Sequence, residues 1–487
     1  MSELLHRVAR HAESQPAAIA LSDESQSLSY AQLWLRINDE AQRLTALLAA
    51  RGVSGRPVAL AADNSVEWVV LDLACLLAQI PCVPVPPFFN EAQRFHLLRD
   101  SGSVLLCVGS TEGWQHQWLD FSAVALPAGT CKITYTSGST GSPKGVCLSQ
   151  AQQQRTVEAL AERIGSLDVQ QHLCTMPLAV LLENLAGVYL PLWLGRRVHL
   201  PSLSSLGLGS LQHPDPQRFI ATLAASQADS LILLPATLAW LVAATEQGLL
   251  PAERWRLLAV GGGKSGRGLL SRADAVGLPV YEGYGLSEVG SVVALNGPQA
   301  RSLGTVGLPL SHLQVRLAAD GEVLVRGNPM LGYLGDPASV DPDGWLATGD
   351  WGQWDEAGYL TILGRKKSTV VTGFGRNVAP EWLEAEFATV PGVLQCFVYG
   401  DELSGLQALL FAPALAADPQ GEARLQACNH TLPEYARLNG WQFVSTPFSR
   451  ESGELTANGR LRRDTLRQLR LSAVVAAGPH HLHKELS

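Results

Sequence analysis

"YTSGSTGSPKG", Tyr135 to Gly145, gathers glycines and hydroxyl side chains around a single lysine, Lys144. A loop of that composition can wrap an anion with backbone N–H groups and hydroxyls, and the lysine adds charge. It is not the nucleotide loop GxxxxGK[ST]. Lys144 follows Pro143 and precedes Gly145, so the GK[ST] element is missing. Gly263, Lys264 and Ser265 do supply that element, but Leu258 stands where its first glycine belongs. Taken alone, 135–145 reads equally well as an exposed flexible turn, and its surroundings have to decide.

On both sides of this stretch, helix and strand patterns alternate. Residues 28–52, "LSYAQLWLRINDEAQRLTALLAARG", open as a strand, take up helical apolar spacing and stop at Gly52, a helix C-cap. "VEWVVLDLACLLAQ" (66–79) reads as a buried helix and "IPCVPVPP" (80–87) as the strand and turn after it. The alternation continues to about residue 280 through "SLILLPATLAWLVAATEQG" (230–248) and "WRLLAVGGGKSG" (255–266), the pattern of parallel α/β units. Residues 305–327, "TVGLPLSHLQVRLAADGEVLVRG", instead alternate apolar and polar residues around turns, as antiparallel β structure does. Residues 376–487 read as a small α+β unit, with a boundary near Arg365–Lys367.

The bulk numbers fit this picture. The chain has 487 residues, 46% apolar and 16% charged, enough for sizeable cores and too apolar for wholesale disorder. A net charge of −8 argues against a nucleic-acid partner, which calls for a basic face. The eight cysteines form no CxxC pair, and buried free thiols in a reducing compartment are expected rather than zinc or disulfides. The apolar tracts Trp68–Pro86 and Leu178–Leu194 are broken by Asp72, Glu183 and prolines, so neither makes a membrane span of roughly 20 residues. No secretory signal is read at the N-terminus, and a cytoplasmic protein is expected. The histidines of "GPHHLHKELS" (478–487) read as a solvated end.

Three downstream stretches change the weight of the glycine loop. "YEGYGLSEVG" (281–290) sets an aromatic, a hydroxyl and a carboxylate within five residues. "WLATGDWGQWDEAGYLTILGRKK" (345–367) places Asp350 after "TG" and Arg365 after "LG", and "GRLRRD" (459–464) adds a basic loop. Each alone is explained by a core tyrosine, a solvated charge or a turn aspartate. In this order they form a specific constellation.

The chain resembles the AMP-forming adenylating superfamily: acyl-CoA synthetases, nonribosomal peptide adenylation domains and luciferases. The resemblance spans nearly the whole length and rests on "YTSGSTGSPKG", "GYGLSE", "TGDW", "LGRKK", "GFGRNVAPEWLE" and "LTANGRLRRD". It implies an α/β fold: a large N-terminal region of two α/β sheets plus a β-barrel over 1–365, holding the ATP and acyl sites, and a small mobile α+β C-terminal domain over 366–487. It implies two half-reactions, in which a carboxylate attacks the α-phosphate of ATP and a thiol then attacks the acyl adenylate. Thr136, Ser137, Gly138, Ser139, Thr140, Gly141 and Lys144 are expected to hold the β- and γ-phosphates. Tyr284, beside Gly285, is expected to stack on adenine, and Ser287 to touch the α-phosphate. Glu288 is expected to ligate Mg²⁺, a hard cation suited to one carboxylate plus phosphate oxygens. Asp350 and Arg365 are assigned to the ribose, Lys367 to the hinge, and the 261–263 turn with Gly262 and Gly263 to close approach by adenine and acyl group. "GFGRNVAP" (373–380) resembles the loop lining the pantetheine tunnel.

Two departures stand out. Where most members carry an "NGK" lysine, this chain reads "NGR", with Arg460 in its place. Arginine keeps the charge but is bulkier and forked, so Arg460 either serves with altered geometry or leaves adenylation slow. Gln150 also stands where many relatives have His or Asn. The segment 176–193, "MPLAVLLENLAGVYLPLW", corresponds to the acyl-pocket region; it carries Glu183 but no aspartate motif for an ammonium, and its apolar run resembles fatty-acyl synthetases. The alternative is a buried helix with Glu183 matched by a neighbour. The expected activity is thus ATP- and Mg²⁺-dependent ligation of a carboxylic acid, a medium- or long-chain fatty acid, to coenzyme A. An aryl or other carboxylic acid is the alternative substrate; the alternative functions are loading of the phosphopantetheine of a separate acyl carrier protein, no carrier motif following residue 464, and a non-catalytic nucleotide- or acyl-binding homologue.

Overall fold

The computed structural model describes residues 2–110, 113–136, 143–209, 214–336, 343–371, 377–401, 405–456 and 459–471. The chain divides into two compact units. The first comprises Met1–Gly263, Arg272–Thr348 and Trp354–Thr361; the second comprises Lys264–Ser271, Gly349–Gln353 and Ile362–Ser487.

The first unit carries two large sheets. Among the described residues one has nine strands, in the order Leu308–Pro309, Ala294–Leu295, Val280–Tyr284, Leu257–Val260, Ser230–Leu233, Gln171–Leu173, Arg197–His199, Ile19–Ser22, Ser27–Ser29. Its central pairs are parallel. The other has seven, in the order Gly332–Tyr333, Lys144–Ser149, Thr130–Thr136, Cys82–Pro84, Val58–Ala61, Leu105–Ser110, Gly113–Trp118. The α/β reading is therefore correct. The expected helices form: Tyr30–Ala50 starts at a Ser29/Gln32 capping box, and Gly52 follows it at φ 68°. Helix Val66–Ala78 is buried on every side over Trp68–Leu76, which is why it is apolar all round. Past residue 300, Gln314–Leu317 pairs antiparallel with Glu322–Arg326, as the alternation foretold.

The segment 176–193 holds a surprise. Glu183–Tyr189 winds as a π-helix and continues as α-helix over Leu190–Trp193. The N–H of Leu190 reaches the Leu185 carbonyl, five residues back, and Pro191 has no N–H to restore the regular ladder. The π-helix sits on a buried polar cluster. Lys132, on strand Thr130–Thr136, lies 2.9 Å from Asp72 on the buried helix, and the two side chains are 3% and 1% exposed. Tyr189 Oη donates to Asp72 Oδ2 at 2.7 Å and Asn184 Nδ2 at 3.0 Å, while Lys132 also donates to Asn184 Oδ1 and Tyr189 Oη.

His312 lies between two β segments of this unit, its ring nitrogens buried and without a partner among the described residues. Burial, reinforced by the charge of Arg155 and opposed by Glu162, lowers its pKa to about 4. The folded state thus resists protonation more than the unfolded chain, whose histidine titrates near 6.5. Stability contributed by neutral His312 is complete above that value and is lost as pH falls from there toward 4. His312→Asn should flatten the pH dependence of the denaturation midpoint across this window, measured by denaturant unfolding in matched buffers.

In the second unit, Gln395–Asp401 pairs antiparallel with Gly405–Phe411, which pairs parallel with Gly440–Phe443. Leu383, Phe387, Val398, Leu410 and Leu425 pack on one face and Phe397, Leu409, Phe448 and Leu466 on the other. Arg463 ties the unit's C-terminal segment to helix Pro380–Phe387 through Glu381 at 3.1 Å and Glu384 at 2.6 Å. The backbone of Lys264–Ser271 reaches the same helix: a Cβ on Gly266 would lie 2.6 Å from the Ala385 carbonyl. All eight cysteines are free and six are buried, as their apolar surroundings implied. Among the described residues no helix is long and apolar enough to cross a membrane.

Candidate nucleotide site

The first unit brings three side chains together around the anchor of the glycine loop. Lys144 begins the strand that pairs with Thr130–Thr136, with Thr136 opposite Lys144 and Tyr135 opposite Gly145. The same strand pairs on its other side with Gly332–Tyr333. This register delivers Tyr333 to Lys144, whose ammonium stands 5.1 Å from the ring centroid. Tyr333 Oη donates to Glu288 Oε1 at 2.8 Å. Lys144, Tyr333 and Glu288 therefore form one cluster of cation, hydroxyl and carboxylate. Of the other loop residues, Thr136 is half-buried at a strand end. Ser137, Gly138, Ser139, Thr140 and Gly141 lie outside the described residues.

Glu288 is presented by a short 3₁₀ turn, Ser287–Val289, after strand Val280–Tyr284. The turn closes through Gly290 at φ 82° and Ser291 at φ 85°. Its close packing explains Gly285, where a Cβ would fall 1.6 Å from the Ser291 carbonyl oxygen. The Met330 N–H donates to the Glu288 carbonyl at 2.6 Å, and buried Asn328 donates to Gln152 O at 3.0 Å and Thr156 Oγ1 at 3.2 Å. The Glu288 backbone and carboxylate are thus both fixed from the 328–333 segment. Tyr284 is half-buried, its carbonyl accepting from Val293 N–H at 2.8 Å. Gly262, at φ 75°, makes the turn after strand Leu257–Val260; a Cβ on neighbouring Gly261 would reach the Gly283 carbonyl at 3.4 Å, and Gly263 has looser surroundings. The glycine turn therefore runs close to the backbone that carries Tyr284.

The second unit gathers a different set. Asp350, 7% exposed, pairs with Arg365 at 3.0 Å. Arg460 belongs to the same charge group. Crowding around its guanidinium, then the like charge of Arg365, lower its pKa, while Asp350 pulls the other way, although the residue as a whole is exposed. Lys367 is exposed in the short turn Lys366–Ser368. Residues 373–376 of "GFGRNVAP" lie outside the described residues.

Sequence reasoning missed Tyr333, which lies 45 residues beyond Glu288. Its one signal is the glycine-flanked "GYLG" (332–335) in a region dense in turns. Glu183 proves to be matched, as the alternative reading of its segment held. Its Oε1 meets His172 Nε2 at 3.1 Å and its Oε2 accepts from Met176 N–H at 3.2 Å. His172, Cys174 and Glu183 offer metal-type ligand atoms within 4.8 Å of one another. His172 is also matched by Ser230, and Cys174 donates to the Gly187 carbonyl. Burial, then the Glu183 charge, hold the Cys174 thiol well above its usual pKa. The set anchors the π-helix. Gly187 makes room for it, since a Cβ there would fall 2.3 Å from Glu183 Oε1.

Tyr333 thus bridges the sheet-borne Lys144 and the Glu288 carboxylate within the α/β unit. The family described as AMP-binding enzyme matches residues 8–127 and 112–334, more than half of the chain, and the chain belongs to that family, within the AMP-forming acyl-CoA ligase superfamily. It is similar to the 2-succinylbenzoate–CoA ligase of Bacillus subtilis (strain 168), 26% identical over 81% of this chain and 84% of that one. Over a shorter stretch, 38% of this chain and 36% of the relative, it is 34% identical to the long-chain-fatty-acid–CoA ligase FadD15 of Mycobacterium bovis. The solved anthranilate CoA ligase AuaEII, in complex with anthranoyl-AMP, shares the fold, with a TM-score of 0.81 and 19% identity over 97% of this chain and 98% of that one.

Proposed function

We propose that the chain activates an apolar carboxylic acid as its acyl adenylate and passes the acyl group to the thiol of coenzyme A. The observation that carries the reading is the Lys144–Tyr333–Glu288 cluster. Lys144 supplies a cation for the β- and γ-phosphates together with Thr136 and the 137–141 loop, and the Ser287 hydroxyl faces the α-phosphate. Glu288 is a hard oxygen donor held in place by Tyr333, the ligand type Mg²⁺ selects, and the ion when bound neutralises charge on the departing pyrophosphate. The acid's carboxylate oxygen bonds to the α-phosphorus as the bond to pyrophosphate breaks. The thiol sulfur then bonds to the acyl carbon, its proton is lost and AMP leaves.

Tyr284 is the adenine platform, and Gly262, Gly263 and Gly285 admit the ligand to backbone. Asp350 and Arg365 take the ribose, and Arg460 the developing charge at the α-phosphate. In this reading 1–365 is the adenylating core and 366–487 a C-terminal domain that turns about Lys367 between half-reactions. Because the arginine keeps its charge in the Asp350 group, Arg460→Lys should retain adenylation within about tenfold, whereas Arg460→Ala should lose roughly a hundredfold, the scale of one preorganised charge partner. Single-turnover formation of acyl-AMP checks both.

An amino acid is a poor substrate here because Glu183 is already matched inside the core. A medium- or long-chain fatty acid suits the apolar 176–193 segment and the FadD15 likeness. An aromatic acid is the second reading, favoured by the likeness to the 2-succinylbenzoate ligase over most of both chains. Fatty, aromatic and amino acids offered with ATP and Mg²⁺, followed by coenzyme A or a phosphopantetheinylated carrier protein, would give thioesters resolved by mass. Thioester on coenzyme A with fatty acids supports the proposal. Thioester only on the carrier, or only with aromatic acids, replaces the corresponding part of it.

A further inference from the structure

One face of helix Glu91–Asp100 grips both stems of the glycine loop. The helix is fixed at its start by an Asn90/Gln93 capping box and by Arg94, whose guanidinium donates to the Phe89 and Pro87 carbonyls at 3.0 Å each. His96, Leu97 and Asp100, at i, i+1 and i+4, share the face turned to the loop stems. On the incoming stem, Tyr135 Oη lies 2.9 Å from Asp100 Oδ2 and 3.3 Å from the Leu97 carbonyl. On the outgoing stem, His96 Nε2 lies 3.0 Å from the Pro143 carbonyl. The His96 and Tyr135 rings meet edge to face, at 6.5 Å and 85°. Gly145 completes the fit, since a Cβ there would fall 3.1 Å from Tyr135 Cζ.

The His96 contact bears directly on Lys144. Proline has no N–H, so its carbonyl is the one backbone polar group Pro143 can offer. That carbonyl belongs to the peptide plane leading into Lys144. Fixing its oxygen fixes the direction in which the Lys144 chain leaves, one residue before the ammonium that stands over Tyr333. A carbonyl accepts only, so His96 must carry its proton on Nε2.

We propose that His96 is a positioning residue for the phosphate-binding lysine: its Nε2–H orients the Pro143–Lys144 peptide and so sets the affinity for Mg·ATP. The inference rests on the nucleotide role of Lys144 proposed above. It is tested on the full chain by equilibrium binding of Mg·ATP, which needs neither the acid nor turnover, alongside thermal unfolding. Loss of one such hydrogen bond predicts that His96→Ala binds Mg·ATP about three- to tenfold more weakly, with the unfolding midpoint lowered by no more than about 4 °C. His96→Gln, whose amide nitrogen occupies the Nε2 position, should restore binding to within about twofold of wild type. Where turnover is measurable, KM for ATP should move with this affinity while KM for the acid stays constant. Wild-type affinity in His96→Ala would overturn the proposal, as would equal losses in both variants or no binding of Mg·ATP by the wild type. Binding that follows the predicted order without any acyl-adenylate formation would leave this inference standing and sink the ligase reading instead.

Discussion

Glu288→Gln is expected to cut magnesium-dependent acyl-adenylate formation by roughly a hundredfold or more, the scale of removing one preorganised electrostatic group from a site where charge develops. The substitution is nearly isosteric. The glutamine oxygen can still accept from Tyr333, and the Met330 N–H still meets the backbone carbonyl, so the 3₁₀ turn keeps its supports. What goes is the negative charge that the proposed function sets against Mg²⁺. The thermal midpoint should therefore stay within a degree or two of wild type while the dependence of rate on Mg²⁺ shifts to higher concentration. Pyrophosphate release over a magnesium titration measures this. Activity within about threefold of wild type at low magnesium would show that the carboxylate is not the ligand.

Lys132→Met should produce the largest loss of stability, about 3–5 kcal/mol, the usual cost of leaving one partner of a buried ion pair uncompensated. Asp72, at 1% exposure, keeps its bonds from Tyr189 and Asn184 but loses the Lys132 ammonium beside it. The second change Asp72→Asn in the same chain should recover a large part of the loss, because it removes the stranded charge. Denaturant unfolding of both single variants and the double variant gives the coupling. A loss below about 1 kcal/mol in Lys132→Met would mean that water reaches the pair. The loss should also be felt along 183–189, because Asn184 and Tyr189 belong to the π-helix.

Much of this molecule was legible in the sequence because its signals are local. Helix Tyr30–Ala50 declares itself through its helical apolar spacing and the stop at Gly52, and the parallel strands through short apolar runs bounded by turns. The glycines at 261–263 mark their sharp turn by residue type, and Gly262 takes φ 75° there. What was not legible depends on partners far apart in the chain. Tyr333 reaches Lys144 and Glu288 only through the register of three strands. His96 reads as an ordinary helix residue until the fold sets it against Pro143. The π-helix arises from Pro191, Gly187 and two buried polar clusters acting together, and no periodicity announces it. The role of Arg460 stays a matter of chemistry rather than pattern, because lysine and arginine carry the same charge on different shapes.

The most direct measurement is magnesium-dependent exchange of labelled pyrophosphate into ATP by the wild-type chain, with each acid class offered in turn. The expected result is exchange that requires both an apolar carboxylic acid and Mg²⁺, and that collapses in Glu288→Gln. Absence of exchange with every acid, in a chain that is folded and binds Mg·ATP, would contradict it.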